Sequence, residues 1–253
     1  MFLLKNAAPR AAFPFPEMQR LSSFLLLLLL ACLPASLRAQ EAAAAPADTL
    51  EHEVLLETSM GNIRVKLYND TPRHRDNFLR LVREGFYDGI LFHRVIPNFM
   101  IQAGDSASRH APEGVRLGDT PEPYTVGAEI RFPERFHKCG ALAAAREDDS
   151  VNPQRASSAW QFYLVYGRIY DEAGLDKAQA WLDENTHGAV KLTPAQRAVY
   201  TSEGDVPYLD GQYTVFGEIT EGLAVVDRIQ WVGRDENNRP FDDVRILRAT
   251  VVR

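Results

Sequence analysis

Apolar residues along this chain come in short runs broken by turn-forming residues, and the rhythm of those runs predicts the elements. Residues 54–57 and 63–68 are apolar and β-branched stretches separated by Ser59-Met60-Gly61-Asn62, which predicts an antiparallel hairpin. Thr71-Pro72 supplies an N-cap and a first-turn proline, Phe78, Leu79, Leu81 and Val82 recur at helical spacing, and Gly85 stops the segment, so one amphipathic helix follows. Residues 86–102 are dense in aromatic and β-branched side chains interrupted by Gly89 and Pro97, consistent with two strands and a bend. Strand-like runs recur at 141–145, 161–166, 213–219 and 244–252, and a short helix fits 223–229 with Val226 and Ile229 inward. Many short strands, few helices and no alternating strand–helix rhythm predict a mainly β, closed antiparallel barrel.

Two stretches depart from this pattern. Residues 167–207 interrupt it with helix-like segments at 171–184 and 193–200, an insertion in which Trp181, Leu182 and Leu192 offer something to bury. It reads either as a surface decoration or as a wall that selects substrates or docks a partner. At the other end, Gln19-Arg20 precede Leu21, two serines, Phe24 and six consecutive leucines. That apolar run of about ten residues is shorter than the roughly 20 a membrane span needs, so it predicts a secretory signal over residues 1–39, with Leu37-Arg38-Ala39 before the cut. Residues 1–17 precede Met18 and carry no argument. The alternative is a lipid-anchored protein, because Leu29-Leu30-Ala31-Cys32 resembles a bacterial lipoprotein cleavage box. Residues 40–50 read as a flexible spacer and 51–253 as the folded domain, periplasmic or otherwise extracytoplasmic, without a transmembrane span and monomeric.

The composition is that of an ordinary globular domain, 45% hydrophobic and 25% charged, and the formal charge is -6. Removal of the leader takes away four basic residues, Lys5, Arg10, Arg20 and Arg38, against Glu17 alone, and no basic patch remains to neutralise phosphates, which argues against nucleic acid. Cys139 is then the single cysteine of the domain, so no internal disulfide is possible, and it reads as a small buried residue. The chain carries no phosphate loop, no paired-cysteine metal motif, no HExxH and no Gly-x-Ser-x-Gly elbow. His52, His74, His110, His137 and His187 sit in polar contexts that predict solvated side chains, and His93, inside an apolar run, reads as a hydrogen-bonded structural histidine rather than a general base.

The segment that stands out runs Phe92-His93-Arg94-Val95-Ile96-Pro97-Asn98-Phe99-Met100-Ile101-Gln102-Ala103-Gly104-Asp105, with Arg94 two residues from Phe92 and therefore on the same strand face. Arg94 reads either as an edge-strand arginine covering the core with its methylenes or as a functional cation. FHRVIPNFMIQAGD resembles the signature segment of the cyclophilin-type peptidyl-prolyl isomerases, with Ala103 where a glycine is usual. The likeness extends to ETSMGNIRVKLY, NFLRLVREGFYDG, GALAAAR, QFYLV and LDGQYTVFGEITEG, covering about 53–166 and 207–252. It implies an eight-stranded barrel capped by two helices, with a peptide groove on the outside and no cofactor.

By that resemblance Arg94 is catalytic, and Phe99, Met100, Tyr163, Leu209 and Phe216 line a proline pocket. Gln102 and Gln161 are polar groups at the groove, and Ala145, Arg146 and Tyr213 complete the substrate-binding set. The implied partners are proline-containing peptides and unfolded or partly folded exported proteins. The sequence departs from the family pattern at Tyr163, commonly phenylalanine, at Arg146, often asparagine, at Tyr208, often tryptophan, and at Tyr213, often histidine; these put cyclosporin affinity in doubt. A rotation about an X-Pro bond makes and breaks no covalent bond, so a fixed donor and an apolar pocket suffice. The implied function is a folding catalyst of the cell envelope; the alternative is a prolyl-peptide binding module of low turnover.

Overall fold

The structure, a computed structural model, describes residues 50–253. The leader, the Cys32 alternative and nearly all of the spacer lie outside the described residues. Strands β1 (His52–Thr58) and β2 (Gly61–Leu67) form the expected hairpin, and helix α1 (Pro72–Arg83) follows. After β3 (Arg94–Ile96), β4 (Met100–Ala103), the two-residue β5 (Thr125–Val126), β6 (Ala141–Ala144), β7 (Ser157–Ser158) and β8 (Phe162–Val165) comes the insertion, with helices α2 (Glu172–Asn185) and α3 (Pro194–Tyr200). The chain closes with β9 (Val215–Glu221), α4 (Leu223–Gln230) and β10 (Ile246–Val251).

Eight strands form one antiparallel sheet in the order β10-β1-β2-β9-β6-β8-β4-β3, and β5 pairs with β7 apart from it. The closed barrel expected from the sequence is not what forms. The ladder has two ends, β10 and β3, and the sheet curls so that the segment before β3 meets the start of β10 and the residues just ahead of it: Phe92 N donates to Val244 O at 2.8 Å and Ile246 N to Ile90 O at 2.8 Å. Those few bonds fasten the curl without a paired strand. They also explain a second correction. The chain leaves strand geometry at Phe92 and His93 and re-enters it at Arg94, so Phe92 is buried in the core while Arg94 faces the groove; the two do not share a face.

Period-two alternation divides the sheet into an inner and an outer face. Leu142, Ala144, Phe162 and Leu164 join the main core with Phe78 and Leu79 of α1 and Val226 and Ile229 of α4. The intervening Ala141, Ala143, Tyr163 and Val165 join Met100 and Val215 in a second cluster outside. Each fully buried Leu, Ile or Phe contributes about 1.5–3 kcal/mol of transfer free energy, so the inner face holds the sheet and the outer face is left to present a site.

The helix α1 is capped differently from expectation. Thr71 makes no side-chain cap; its hydroxyl donates to Tyr68 O, and the carboxylate of Glu129 accepts from Arg73 N at 3.1 Å and His74 N at 3.0 Å. The same carboxylate meets His74 Nδ1 at 2.7 Å, and Ser157 Oγ meets His74 Nε2 at 2.9 Å. His74 is therefore buried, not solvated, and its desolvated imidazole is pulled below the ordinary histidine value. In the insertion, Asp171 caps α2 and Thr193 with Gln196 forms a capping box on α3. Leu175, Leu182, Val190, Leu192 and Tyr200 bury one another there, while Trp181 stays 39% exposed.

Candidate active site

The β3–β4 hairpin places Arg94 opposite Gln102 in register, and β8 places Tyr163 opposite Gln102 on the other side. Three side chains from three strands thus share the outer face. Arg94 Nη1 donates to Gln102 Oε1 at 3.1 Å, Gln102 Nε2 donates to Gln161 Oε1 at 2.9 Å, and Gln161 Nε2 donates to Gly118 O at 2.9 Å. This chain of amides fixes the guanidinium. Gly104, at φ +111°, makes it possible: a Cβ there would lie 2.3 Å from Trp160 O, so only glycine lets β4 approach the turn that carries Gln161. The Arg94 guanidinium also sits 5.9 Å from the centre of the Phe99 ring. Half-burial pulls it below its ordinary value, and it remains charged at any physiological pH.

Beside it opens a pocket of about 170 Å³ floored by Met100 and Tyr163 and walled by Leu209, Tyr213, Ala145 and Arg146, with Arg94 and Gln102 at its rim. A second cleft of about 710 Å³ shares Gln102, Ala145 and Arg146 with it and runs on past Gln161 to Asn152, so an extended chain has room on one side of the pocket. Arg146 is committed inward. Its Nε donates to Gln212 O at 2.9 Å, it pairs with Asp149 at 2.6 Å, and its guanidinium covers the Tyr213 ring at 4.3 Å.

Of the residues expected at the groove, Arg94, Met100, Gln102, Ala145, Arg146, Tyr163, Leu209 and Tyr213 line the pocket itself, Gln161 lines the adjoining cleft and Phe99 supports Arg94 from the side. Phe216 is the exception. It is 3% exposed and points to the inner core, 5.6 Å from the Phe78 ring and 5.8 Å from His74, while its neighbour Val215 faces the pocket side. Alternation along β9 allows only one of the two to face outward.

The sequence reading missed a buried network beneath the pocket. His137 Nε2 meets the Tyr163 hydroxyl at 2.9 Å, His137 Nδ1 meets Asp210 Oδ1 at 3.0 Å, and Tyr200 donates its hydroxyl to Asp210 Oδ2. His137 was read as solvated and is 1% exposed, a correction no local pattern foretells because its partners lie 26 and 73 residues away. His52 is half-buried and His110 and His187 are exposed. His93 is buried, but neither of its ring nitrogens has a hydrogen-bond partner among the described residues, against the hydrogen-bonded role expected of it, and desolvation pushes its imidazole down to about 4. Cys139 is half-buried, its thiol pushed up to about 11 by desolvation, which leaves it unreactive. Among the described residues no group of histidines, cysteines and carboxylates is arranged to hold a metal ion, and no helix is long and apolar enough to cross a membrane.

Comparison with known proteins places this geometry. The sequence profile described as "Cyclophilin type peptidyl-prolyl cis-trans isomerase/CLD" matches residues 53–251. "Peptidyl-prolyl cis-trans isomerase-like 1" of Aspergillus fumigatus is 31% identical over 204 residues, 79% of this chain and 95% of that protein. The protein of the same name from Rhizopus delemar is 34% identical over 201 residues, 78% of this chain and 91% of its own length. Among solved structures, a cyclophilin-type isomerase of Cryptosporidium parvum shares the fold with a TM-score of 0.55 at 21% identity, covering 81% of this chain and 99% of that one. A pocketed outer face, an anchored arginine and a profile match across nearly the whole described domain agree, and the chain belongs to the cyclophilin-type peptidyl-prolyl cis-trans isomerase family and is an isomerase.

Proposed function

We propose that this isomerase turns X-Pro bonds in the outer groove with Arg94 as the group that acts on the amide. The observation that supports it is the Arg94 guanidinium tied to Gln102 at the rim of a pocket of about 170 Å³ in which Met100, Tyr163 and Leu209 offer a ring-sized contact surface. Twisting the bond breaks amide resonance across a barrier of about 18–20 kcal/mol. At the twisted geometry the prolyl nitrogen regains a lone pair, and a fixed guanidinium N–H donates to it more strongly than to the planar amide, which is differential binding of the transition state. Met100, Tyr163 and Leu209 hold the pyrrolidine ring while the preceding carbonyl swings. A related structure from Cryptosporidium parvum is described in the presence of the dipeptide Ala-Pro, which supports a proline as the occupant.

We assign the substrates to proline-containing segments of exported, partly folded proteins, and the enzyme to an extracytoplasmic space, on the leader-like pattern of residues 18–39. In a protease-coupled assay on an X-Pro tetrapeptide, Arg94→Ala loses on the order of 10²-fold in kcat/KM, about 3 kcal/mol, with the fold intact. Unchanged turnover in that variant sinks the assignment of Arg94. Mass spectrometry of the mature protein is expected to find it starting near Gln40; an intact leader or a lipidated Cys32 overturns the cleavage reading.

A further inference from the structure

Asp210, Leu209 and Tyr213 belong to the loop that walls the proline pocket, and the insertion holds that loop at three points. Tyr200 of α3 donates its hydroxyl to Asp210 Oδ2. Val190 packs on Gly211, where φ is +66° and a Cβ would lie 2.3 Å from Val190 Cγ2. Trp181 of α2 meets the Tyr208 ring edge-on at 5.4 Å. The first of these contacts does not stop at the loop. Asp210 Oδ1 accepts from His137 N at 2.8 Å and from His137 Nδ1 at 3.0 Å, so the imidazole is fixed in position and in tautomer. Its Nε2 then accepts the Tyr163 hydroxyl at 2.9 Å, and the two rings lie nearly parallel, 11° apart with centroids at 6.0 Å. Tyr200 and Asp210 are 0% exposed, His137 1% and Tyr163 4%, so the whole chain of bonds is out of water, where a hydrogen bond is strong and an unmade one is costly.

We infer that Tyr200, Asp210 and His137 are positioning residues for the proline pocket: they connect helix α3 of the insertion to the floor of the pocket through the Tyr163 hydroxyl. The inference rests on the groove reading above and gives the insertion a task that neither a decoration nor a wall would have. The Tyr163 ring is one face of the ring-binding space, and its tilt follows from where His137 holds its oxygen. Loosening α3 therefore loosens the pocket, at a distance from any substrate contact. A phenylalanine at 163 would cut the connection at its last link and leave the ring held by packing alone.

Tetrapeptide kinetics on the full chain test this. Tyr200→Phe is expected to raise KM several-fold with kcat within about twofold, since Arg94 is untouched. Tyr163→Phe removes the last link of the same chain and is expected to raise KM to a similar extent, and in that background Tyr200→Phe adds no further rise in KM, although it lowers Tm in both backgrounds. KM losses that multiply in the double variant, or a KM unmoved by Tyr200→Phe, overturn the inference, and a merely structural Tyr200 gives one of those results. A measurement on the unaltered protein stands beside it. Titration with an Ala-Pro peptide, followed by NMR, is expected to shift the buried His137 imidazole resonances in the parent and to leave them nearly fixed in Tyr163→Phe; equal responses refute the connection. Loss of activity in Arg94→Ala tests the groove separately, so an Arg94-dependent enzyme without the Tyr163–Tyr200 coupling refutes this inference alone.

Discussion

His93 precedes Arg94 in the chain, yet burial holds its imidazole near 4, so it stays neutral wherever the enzyme is folded at ordinary pH. Arg94 stays charged over the same range. With no group titrating between them, kcat/KM is expected to be flat from about pH 6 to 8.5, unlike the bell of a general acid–base enzyme. An inflection near pH 6.5 that disappears in His93→Gln would give His93 a chemical part. Stability, in contrast, does respond to pH. Asp205 is fully buried with both carboxylate oxygens unpartnered, and desolvation, aided by Asp210, pushes it up to about 9. The folded state keeps a proton that the unfolded chain releases above its ordinary 3.8, so Asp205's contribution is full in acid and declines as pH rises toward 9. Asp205→Asn is expected to raise Tm at pH 8 and to do so less at pH 5; an equal change at both pH values refutes this. The groove positions of Arg94 and Gln102 were legible because one continuous segment, 92–105, carries both, and that of Tyr163 because QFYLV is itself a short continuous match. His74 and His137 were not, since burial depended on Glu129 and Asp210, which no window of the sequence shows beside them.

Elements whose start is written locally were legible. The insertion's two helices fall where the sequence puts them, at 171–184 and 193–200 against the observed Glu172–Asn185 and Pro194–Tyr200, and the first hairpin is marked by its turn. The pairing of β5 with β7 was not, because Ser157-Ser158 has neither an apolar period nor β-branching to mark it. The cap of α1 belongs to the same class, for it is borrowed from Glu129 and not from Thr71. Glu129→Ala strips two backbone N–H groups and His74 of their acceptor, and is expected to cost about 1–3 kcal/mol, a fall in Tm of several degrees in a thermal melt. Thr71→Ala is expected to cost less than Glu129→Ala; the reverse order would return the cap to the local signal.

At the scale of the molecule the strand count and the outer groove were readable, and the open ends of the sheet were not, since closure is decided by a handful of bonds between segments about 150 residues apart, such as Leu91 and Arg245. The insertion adds its own buried cluster of Tyr170, Leu175, Leu182 and Tyr200, joined by Phe132, Phe136 and Tyr208 from the main body. Replacing residues 170–204 by a Gly/Ser linker would uncover those aromatics and Asp210, so the shortened protein is expected to melt earlier and to bind tetrapeptides more weakly; unchanged binding would make the insertion dispensable. One pairing has a consequence for how the protein is made. β1 hydrogen-bonds to β2 on one side and to β10 on the other, with Glu53 N reaching Arg253 O at 3.2 Å. β1 is therefore made long before its second neighbour, and until β10 has left the ribosome that edge stays open to any other strand. The sheet therefore cannot complete its pairing until β10 has been synthesised, and the β1 edge is where a growing chain is open to pairing with the wrong strand.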